Sequence, residues 1–419
     1  MSCRSQPSRS PHAPEHNMLP TLRVLATLAV PAALAAQSTF EILALTDAVP
    51  LLARIDPNLC TVSICPPALP PVAAPYAGGV AHDPRDRATW ISDGLNLMKV
   101  DVRSGCTTVC AAFPAPNLPL GVVVTGLACN EETQRRFISH SNNVIHTYGA
   151  VGCSLTLQSS CTLTLPSNHM VTGLATDDAN QLIFIGSSPW NGPGPVSEVN
   201  IALQAAPCVP VCFPTQVVDC SGFNVPFITG LGYDPCRQSL VVSDPSQVTV
   251  MQYLHPCGGF LPLNCCSGVP GQQLTGLCVL PSTETSSGSP CFSGSSPACL
   301  AMRHLLRGDP AIGNLGFALE LSNCPTNSIA LAFLDIGSNC AVANHGLCSL
   351  MPTLPLWASM TFVPPGLPCT GAASFPMPLP NFPALCGLIL STRWSGWMVG
   401  GGPLDHYVSD CVTWMISGT

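Results

Sequence analysis

The chain has 419 residues, 47% of them hydrophobic and only 9% charged, with a formal net charge of −8. Fourteen Lys plus Arg residues are too few for the clustered cations that phosphate recognition requires, so nucleic acid is not an expected partner. Forty-four prolines and 35 glycines argue against long helices and predict many short strands joined by turns.

Residues 1–35 read as a leader. Met18-Leu19-Pro20-Thr21-Leu22-Arg23 gives a short basic start, Val24 to Leu34 is apolar, and Ala33-Leu34-Ala35 is an A-x-A cleavage site, the three parts of a secretory signal. Met18 is the expected true start, with Ala36 or Gln37 beginning the mature protein. No later segment is long and apolar enough to span a bilayer.

A register then recurs five times. A Gly-Leu or Gly-Val step stands at Gly79, Gly126, Gly173, Gly230 and Gly276, and a polar pair ends fourteen residues after each of the first four. The repeat of about 47 residues has strand-like content. In one unit, Val122 to Ala128, Arg136 to Ser139, Val144 to Tyr148 and Cys153 to Cys161 supply four strands, the pattern of a β-propeller blade. Phe40 to Thr46, Leu51 to Ile55 and Cys60 to Cys65 lack a first strand, while Gly276 to Val279 lacks successors. Joining the two completes a fifth blade from both ends of the domain and hides both sheet edges. The expected fold class is therefore all-β: a five-bladed β-propeller over 40–280, closed by the N-terminal strands.

Twenty-four cysteines without paired CxxC knuckles fit disulfides in an oxidising compartment better than metal clusters. Cys60/Cys65, Cys106/Cys110, Cys153/Cys161, Cys208/Cys212 and Cys257/Cys265 each flank the fourth strand, and a local staple within every blade is expected. Cys129 and Cys278, on inner strands, read as buried free thiols.

Residues 281–300 read as a Ser/Pro/Gly linker. Beyond it, Gly316 to Leu321, Ile329 to Leu334, Leu354 to Phe362, Leu388 to Trp394 and Val412 to Ile416 predict a small antiparallel β-sandwich over 301–419.

Gly313-Asn314 to Phe317, Pro325-Thr326-Asn327-Ser328-Ile329-Ala330, Phe333-Leu334-Asp335-Ile336-Gly337 and Phe375-Pro376-Met377-Pro378-Leu379-Pro380, with Leu385-Cys386-Gly387 and the strand from Ser409 to Ser417, resemble the β-sandwich module that ends many secreted proteins of planctomycete-type bacteria. The repeats are similar to the NHL and YncE-like propeller group. Together the resemblances cover 40–419 and imply an extracellular or cell-surface protein without fixing an activity.

The turns between second and third strands emerge on one face of a propeller. Thr46-Asp47, Ser92-Asp93, Ser139-His140, Ser187-Ser188 and Ser243-Asp244 would ring the channel mouth there. Asp47, Asp93 and Asp244 could hold Ca²⁺ through oxygen ligands, and with His140 and Ser187 could bind sugar hydroxyls. The competing reading is turn capping, in which Asp and Ser bond nearby backbone N–H groups. Trp190, in an insertion rich in Gly and Pro, is a stacking platform on the same face. The acidic turns at Asp83, Asp177 and Asp234 lie opposite and read as structural. G-x-S-x-G, H-E-x-x-H and P-loop motifs are absent, and no organic cofactor is expected. The favoured reading is an exported, non-catalytic protein binding an extracellular protein or glycan. The alternatives are a propeller hydrolase or lyase built on Asp47, Asp93, His140 and Asp244, and a structural envelope component.

Overall fold

The computed structural model describes residues 40–418, apart from 48–50, 67–72, 74–76, 131–132, 191–195, 255–256, 281–283, 288, 294–298, 338–339, 341–356 and 401–404. The leader, with its proposed cleavage site, lies outside the described residues. Among the described residues there is no α-helix, and no helix is long and apolar enough to cross a membrane.

The strands build seven antiparallel sheets. Sheet I orders Leu274–Leu280, Glu41–Thr46, Leu52–Asp56 and Thr61–Cys65, so it takes its first strand from far along the chain. Sheet II comprises Gly79–Asp83, Ala88–Ser92, Asn96–Asp101 and Thr107–Pro114. Sheet III comprises Val124–Asn130, Arg135–His140, Val144–Val151 and Ser154–Thr162. Sheet IV comprises His169–Asp177, Leu182–Pro189, Glu198–Leu203 and Ala206–Pro210, with Thr215–Gln216 also paired to its third strand. Sheet V comprises Gly230–Asp234, Ser239–Ser243, Gln247–Tyr253 and Phe260–Ser267.

Packing makes these five sheets a closed cycle. The apolar side chains of each interior strand are buried on both faces, and each core cluster is shared by two neighbouring sheets. Leu43, Leu45 and Leu52 of sheet I pack with Val80, Ile91 and Met98 of sheet II. Trp90 and Leu97 then meet Leu127, Ile138 and Tyr148, and Phe137 and Ile145 meet Leu174, Ile183 and Ile185. Phe184 and Ile201 meet Tyr233, Tyr253 and Phe260, and Val241 and Val250 return to Ile42, Ala53 and Ile55. Sheets stacked face to face around an axis in this way are a β-propeller arrangement.

The recurring glycine of each first strand has a steric cause. A Cβ on Gly126 would lie 3.0 Å from the Leu174 backbone nitrogen, one on Gly173 3.0 Å from that of Leu231, and one on Gly230 2.5 Å from that of Leu277. One on Gly276 would meet the Gly79 Cα at 2.9 Å, and one on Gly79 the Leu127 nitrogen at 2.9 Å. The first strands thus touch backbone to backbone around the axis, which only glycine permits.

The cysteines overturn the expected local staples. The bridges run between sheets: Cys65–Cys106, Cys110–Cys153, Cys161–Cys208, Cys212–Cys257 and Cys60–Cys266, with Cα separations of 5.2–6.0 Å. They join sheets I–II, II–III, III–IV, IV–V and V–I, a covalent belt around the outer strands. Cys220–Cys265 is a further bridge. The reason is reach. Residues four apart on an extended strand stand about 13 Å apart, whereas bridged Cα atoms lie within about 7 Å. Cys106 and Cys110 therefore face different neighbours. Cys129 and Cys278 are free, as expected, and Cys324 is free too.

Sheet VI orders Thr285–Ser287, His406–Met415, Ile389–Met398, Ser328–Ile336 and Trp357–Val363, with Cys291–Phe292 also on the His406–Met415 strand. Sheet VII orders Arg303–Arg307, Ala318–Cys324 and Gly371–Pro376. They share one core built on Phe317, Leu319, Leu334, Trp394 and Trp414. Part of the 281–300 stretch, read from composition as a linker, is thus strand at a sheet edge. Cys299–Cys369 and Cys340–Cys411 stitch this part, and Cys236–Cys386 ties it to the turn that ends the first strand of sheet V.

Candidate functional site

The end of the ring carrying the polar pairs, here the upper end, is built by register. Ser92, Ser139 and Ser243 sit opposite Gly79, Gly126 and Gly230. A bulge after Val171 shifts sheet IV, putting Gly186 opposite Gly173 and Ser188 opposite Met170. Ser139, Ser188 and Ser243 turn inward to the first strands, while the Ser92 hydroxyl donates to Asn96 O on the third strand of its sheet at 2.8 Å. Ser139 Oγ lies 3.2 Å from Thr125 Oγ1, Ser188 Oγ 3.4 Å from Thr172 Oγ1 and Ser243 Oγ 3.0 Å from Thr229 Oγ1. Ser187 Oγ accepts from Asn200 Nδ2 at 3.3 Å. A threonine before four of the five repeat glycines, all but Gly79, is a further half of the motif, visible as Thr-Gly-Leu at 125–127, 172–174, 229–231 and 275–277.

Asp93 and Asp244 are engaged in their own turns, and Asp47 bonds the connection that leads into the first strand of its sheet. Asp93 Oδ1 accepts from the Leu95 and Asn96 backbone N–H groups at 2.8 and 2.6 Å, and Oδ2 accepts from Asn96 Nδ2. Asp244 Oδ1 accepts from the Ser246 and Gln247 N–H groups and the Ser246 hydroxyl at 2.7–3.0 Å. Asp47 Oδ1 accepts from Gln273 N–H at 3.0 Å. The Asp93 and Asp244 bonds have the geometry of Asx capping. No group of three or more His, Cys, Asp or Glu side chains among the described residues is arranged to hold a metal ion.

His140 differs from the carboxylates. It is 1% exposed and neither ring nitrogen has a hydrogen-bond partner. Its ring packs edge-on against His146 at 4.6 Å, and His146 against Tyr148 at 5.9 Å. Burial, with the His146 ring as a lesser cause, lowers the His140 pKa to about 4, so the imidazole is neutral at pH 7. Trp190 is 53% exposed at the mouth of the insertion, of which 191–195 lie outside the described residues.

The opposite end is occupied by the C-terminal part of the chain. His82 and Asp83 point to opposite sides of their strand, as adjacent residues must. His82 bonds Asp309 through Nε2 at 2.6 Å and Thr89 through Nδ1 at 3.1 Å. Asp83 pairs with Lys99 at 3.2 Å and with Arg136. Asp309 is fully buried and also pairs with Arg103 at 2.6 Å and Arg87 at 3.3 Å. Burial would raise its pKa, but Arg103 first, then His82 and Arg87, overcome that and hold it below the ordinary carboxylate value. Asp177 caps its turn through Asn180, and Asp234 through the Cys236 N–H, in keeping with a structural role. The Asp309 cluster was not legible, because its members lie more than 200 residues apart in sequence.

A cavity on the axis is lined by Leu127, Leu174 and Leu231 and by the free cysteines Cys129 and Cys278. Burial pushes the Cys129 thiol up to about 12 and raises that of Cys278 as well.

No family model matches the chain, and no curated protein matches it. Among solved structures it is similar to a chain of the nidogen/laminin complex, at 14% identity and a TM-score of 0.34, covering 57% of this chain and 98% of that one. It is also similar to the RRP9 WD40 repeats, at 10% identity and a TM-score of 0.34, covering 58% and 84%. The β-propeller domain of Myceliophteria thermophila Cps50 (Swd1) gives 11% identity and a TM-score of 0.32, covering 52% and 66%.

Proposed function

We propose that the five cyclic sheets are the blades of a five-bladed propeller followed by a small β-sandwich, and that the protein is exported and acts by binding an extracellular protein or glycan, without catalysis. The belt of inter-sheet disulfides carries this reading. A closed set of structural disulfides forms and persists in an oxidising compartment, not in a reducing cytosol. The signal-like leader and the resemblance to planctomycete-type secreted modules and NHL or YncE-like repeats agree with it. The upper end supports the binding half of the proposal, since the C-terminal part occupies the other end and leaves Trp190 exposed.

Fractionation of the producing cell tests the first half. The protein is expected outside the cytoplasm, starting at Ala36 or Gln37 with its belt oxidised; a cytoplasmic, reduced chain would overturn the proposal. A thermal-shift screen of the oxidised protein against oligosaccharides, divalent ions and candidate proteins tests the second half. A native-state ligand raises the melting temperature, and the rise is expected to be lost in Trp190→Ala.

A further inference from the structure

The charges of the ring are sorted by end. Residues 40–280 contain eight cations: Arg54, Arg85, Arg87, Lys99, Arg103, Arg135, Arg136 and Arg237. All eight lie towards the lower end, in or near the turns that lead out of first and third strands, or beside Glu41 in the case of Arg54. The upper turns and connections contain none. They carry Asp47, Asp93, Glu198, Asp219 and Asp244, five carboxylates with no cation among them.

The same end exposes large apolar side chains. Leu120 is fully exposed, Phe223 is 73% exposed, and Leu95 and Trp190 are about half exposed. They sit on separate loops: Leu95 between the second and third strands of sheet II, Leu120 on the way into sheet III, Trp190 after the second strand of sheet IV and Phe223 on the way into sheet V. These loops are rooted in the ring. Val124 N–H donates to Gly94 O, Ala115 N–H to Leu95 O and Ile228 N–H to Ser188 Oγ. Phe223 is held by Asp219, whose Oδ1 accepts the Phe223 N–H at 3.0 Å. Rooted loops pre-organise their tips, which lowers the cost of ordering on binding.

We propose that this end docks a cationic protein segment, one whose Lys or Arg residues meet the carboxylate field while apolar side chains seat between Leu120, Trp190 and Phe223. The inference rests on the binding function proposed above and narrows its partner class. A field of one sign steers an oppositely charged partner and rejects like-charged ones, so acidic polysaccharides and acidic peptides are excluded from the same face. Exposed aromatic anchors supply the buried contact that charge alone lacks.

The test uses the oxidised full-length protein and a fluorescein-labelled peptide of alternating arginine and leucine, read by anisotropy. Controls are the glutamate/leucine counterpart and an array of uncharged oligosaccharides. The arginine peptide is expected to bind, and to bind more weakly as salt rises. Glu198→Lys and Phe223→Ala are each expected to weaken it about tenfold. Val109→Ser, on an outer strand of the perimeter, is expected to leave it unchanged. Equal binding of the acidic peptide, or indifference to Glu198→Lys and Phe223→Ala, overturns the proposal. Should only oligosaccharides bind, with loss in Trp190→Ala, the partner class falls and the binding function stands. Should nothing bind at this end, both fall.

Discussion

At the scale of residues, buried ionisable groups set how the protein responds to acid. His140 and His304 are buried and, chiefly through burial, titrate near 4, below the ordinary value of about 6.5. The folded state therefore holds them neutral while the unfolded chain takes up two protons between about pH 6 and 4.5. Asp234 acts in the opposite sense. Burial raises it to about 6 against its backbone N–H donors, so the folded state holds a proton there that the unfolded chain has released. The lowered histidines, His146 among them, outnumber Asp234, so unfolding takes up protons on balance and stability falls as the pH drops through that range. Urea midpoints at pH 7 and 5 check this, and His140→Phe is expected to flatten the profile; midpoints that rise at pH 5 would contradict it. Asp83 and Asp309 are held below the usual carboxylate value despite burial, by Arg136 and Lys99 and by Arg103, His82 and Arg87 respectively. Their contribution is complete above about pH 4 and lost as pH falls below it. The axial glycines are also residue-scale devices. Gly230→Ala, whose Cβ would stand 2.5 Å from the Leu277 nitrogen, is expected to cost about 1–3 kcal/mol in chemical denaturation.

At the scale of elements, repeats were legible and their partners were not. Glycine spacing, polar pairs and half-repeats at both ends marked where four-stranded sheets begin and which strands complete sheet I, because steric and turn requirements recur with the repeat. The disulfide pairing was misread, although a sign of it was present. Cys65–Cys106, Cys110–Cys153, Cys161–Cys208 and Cys212–Cys257 are separated by 41, 43, 47 and 45 residues, about one repeat each. Strand geometry forbids the shorter pairings. Removing one belt bridge, as in Cys110→Ser/Cys153→Ser, is expected to cost about 2–4 kcal/mol, while the sheet I closure and the remaining bridges keep the ring. The contact between the ring and the C-terminal sheets is a second element-scale device. Asp309→Ala would leave Arg103, Arg87 and His82 facing a buried void, and a loss of about 3–5 kcal/mol is expected. A change under about 0.5 kcal/mol, within the range of ordinary surface substitutions, would show that this cluster does not hold the interface.

At the scale of the whole molecule, the C-terminal sheets contact one end of the ring, and the proposed binding lies at the other. The polar pairs stand at one end of the ring, yet Asp93 and Asp244 cap their own turns and Asp47 bonds the Gln273 N–H, because an Asx cap satisfies Asp93 and Asp244 locally before any shared ligand can recruit them. Their charge remains, and its consequence is a one-signed end beside exposed Leu120, Trp190 and Phe223. That sorting could be read from the repeat itself, since every Lys and Arg of the ring falls on the lower half of its unit. The Asp309 contact could not, as it depends on tertiary docking over more than 200 residues. Export, an oxidised belt and a free recognition end form one account, and its central claim is the belt. Peptide mapping of the native protein under non-reducing conditions tests it most directly. The account predicts cross-linked peptides for Cys65–Cys106, Cys110–Cys153, Cys161–Cys208, Cys212–Cys257 and Cys60–Cys266, with Cys129, Cys278 and Cys324 alkylated only after denaturation. Bridges such as Cys106–Cys110 within single sheets, or free thiols throughout, would contradict it.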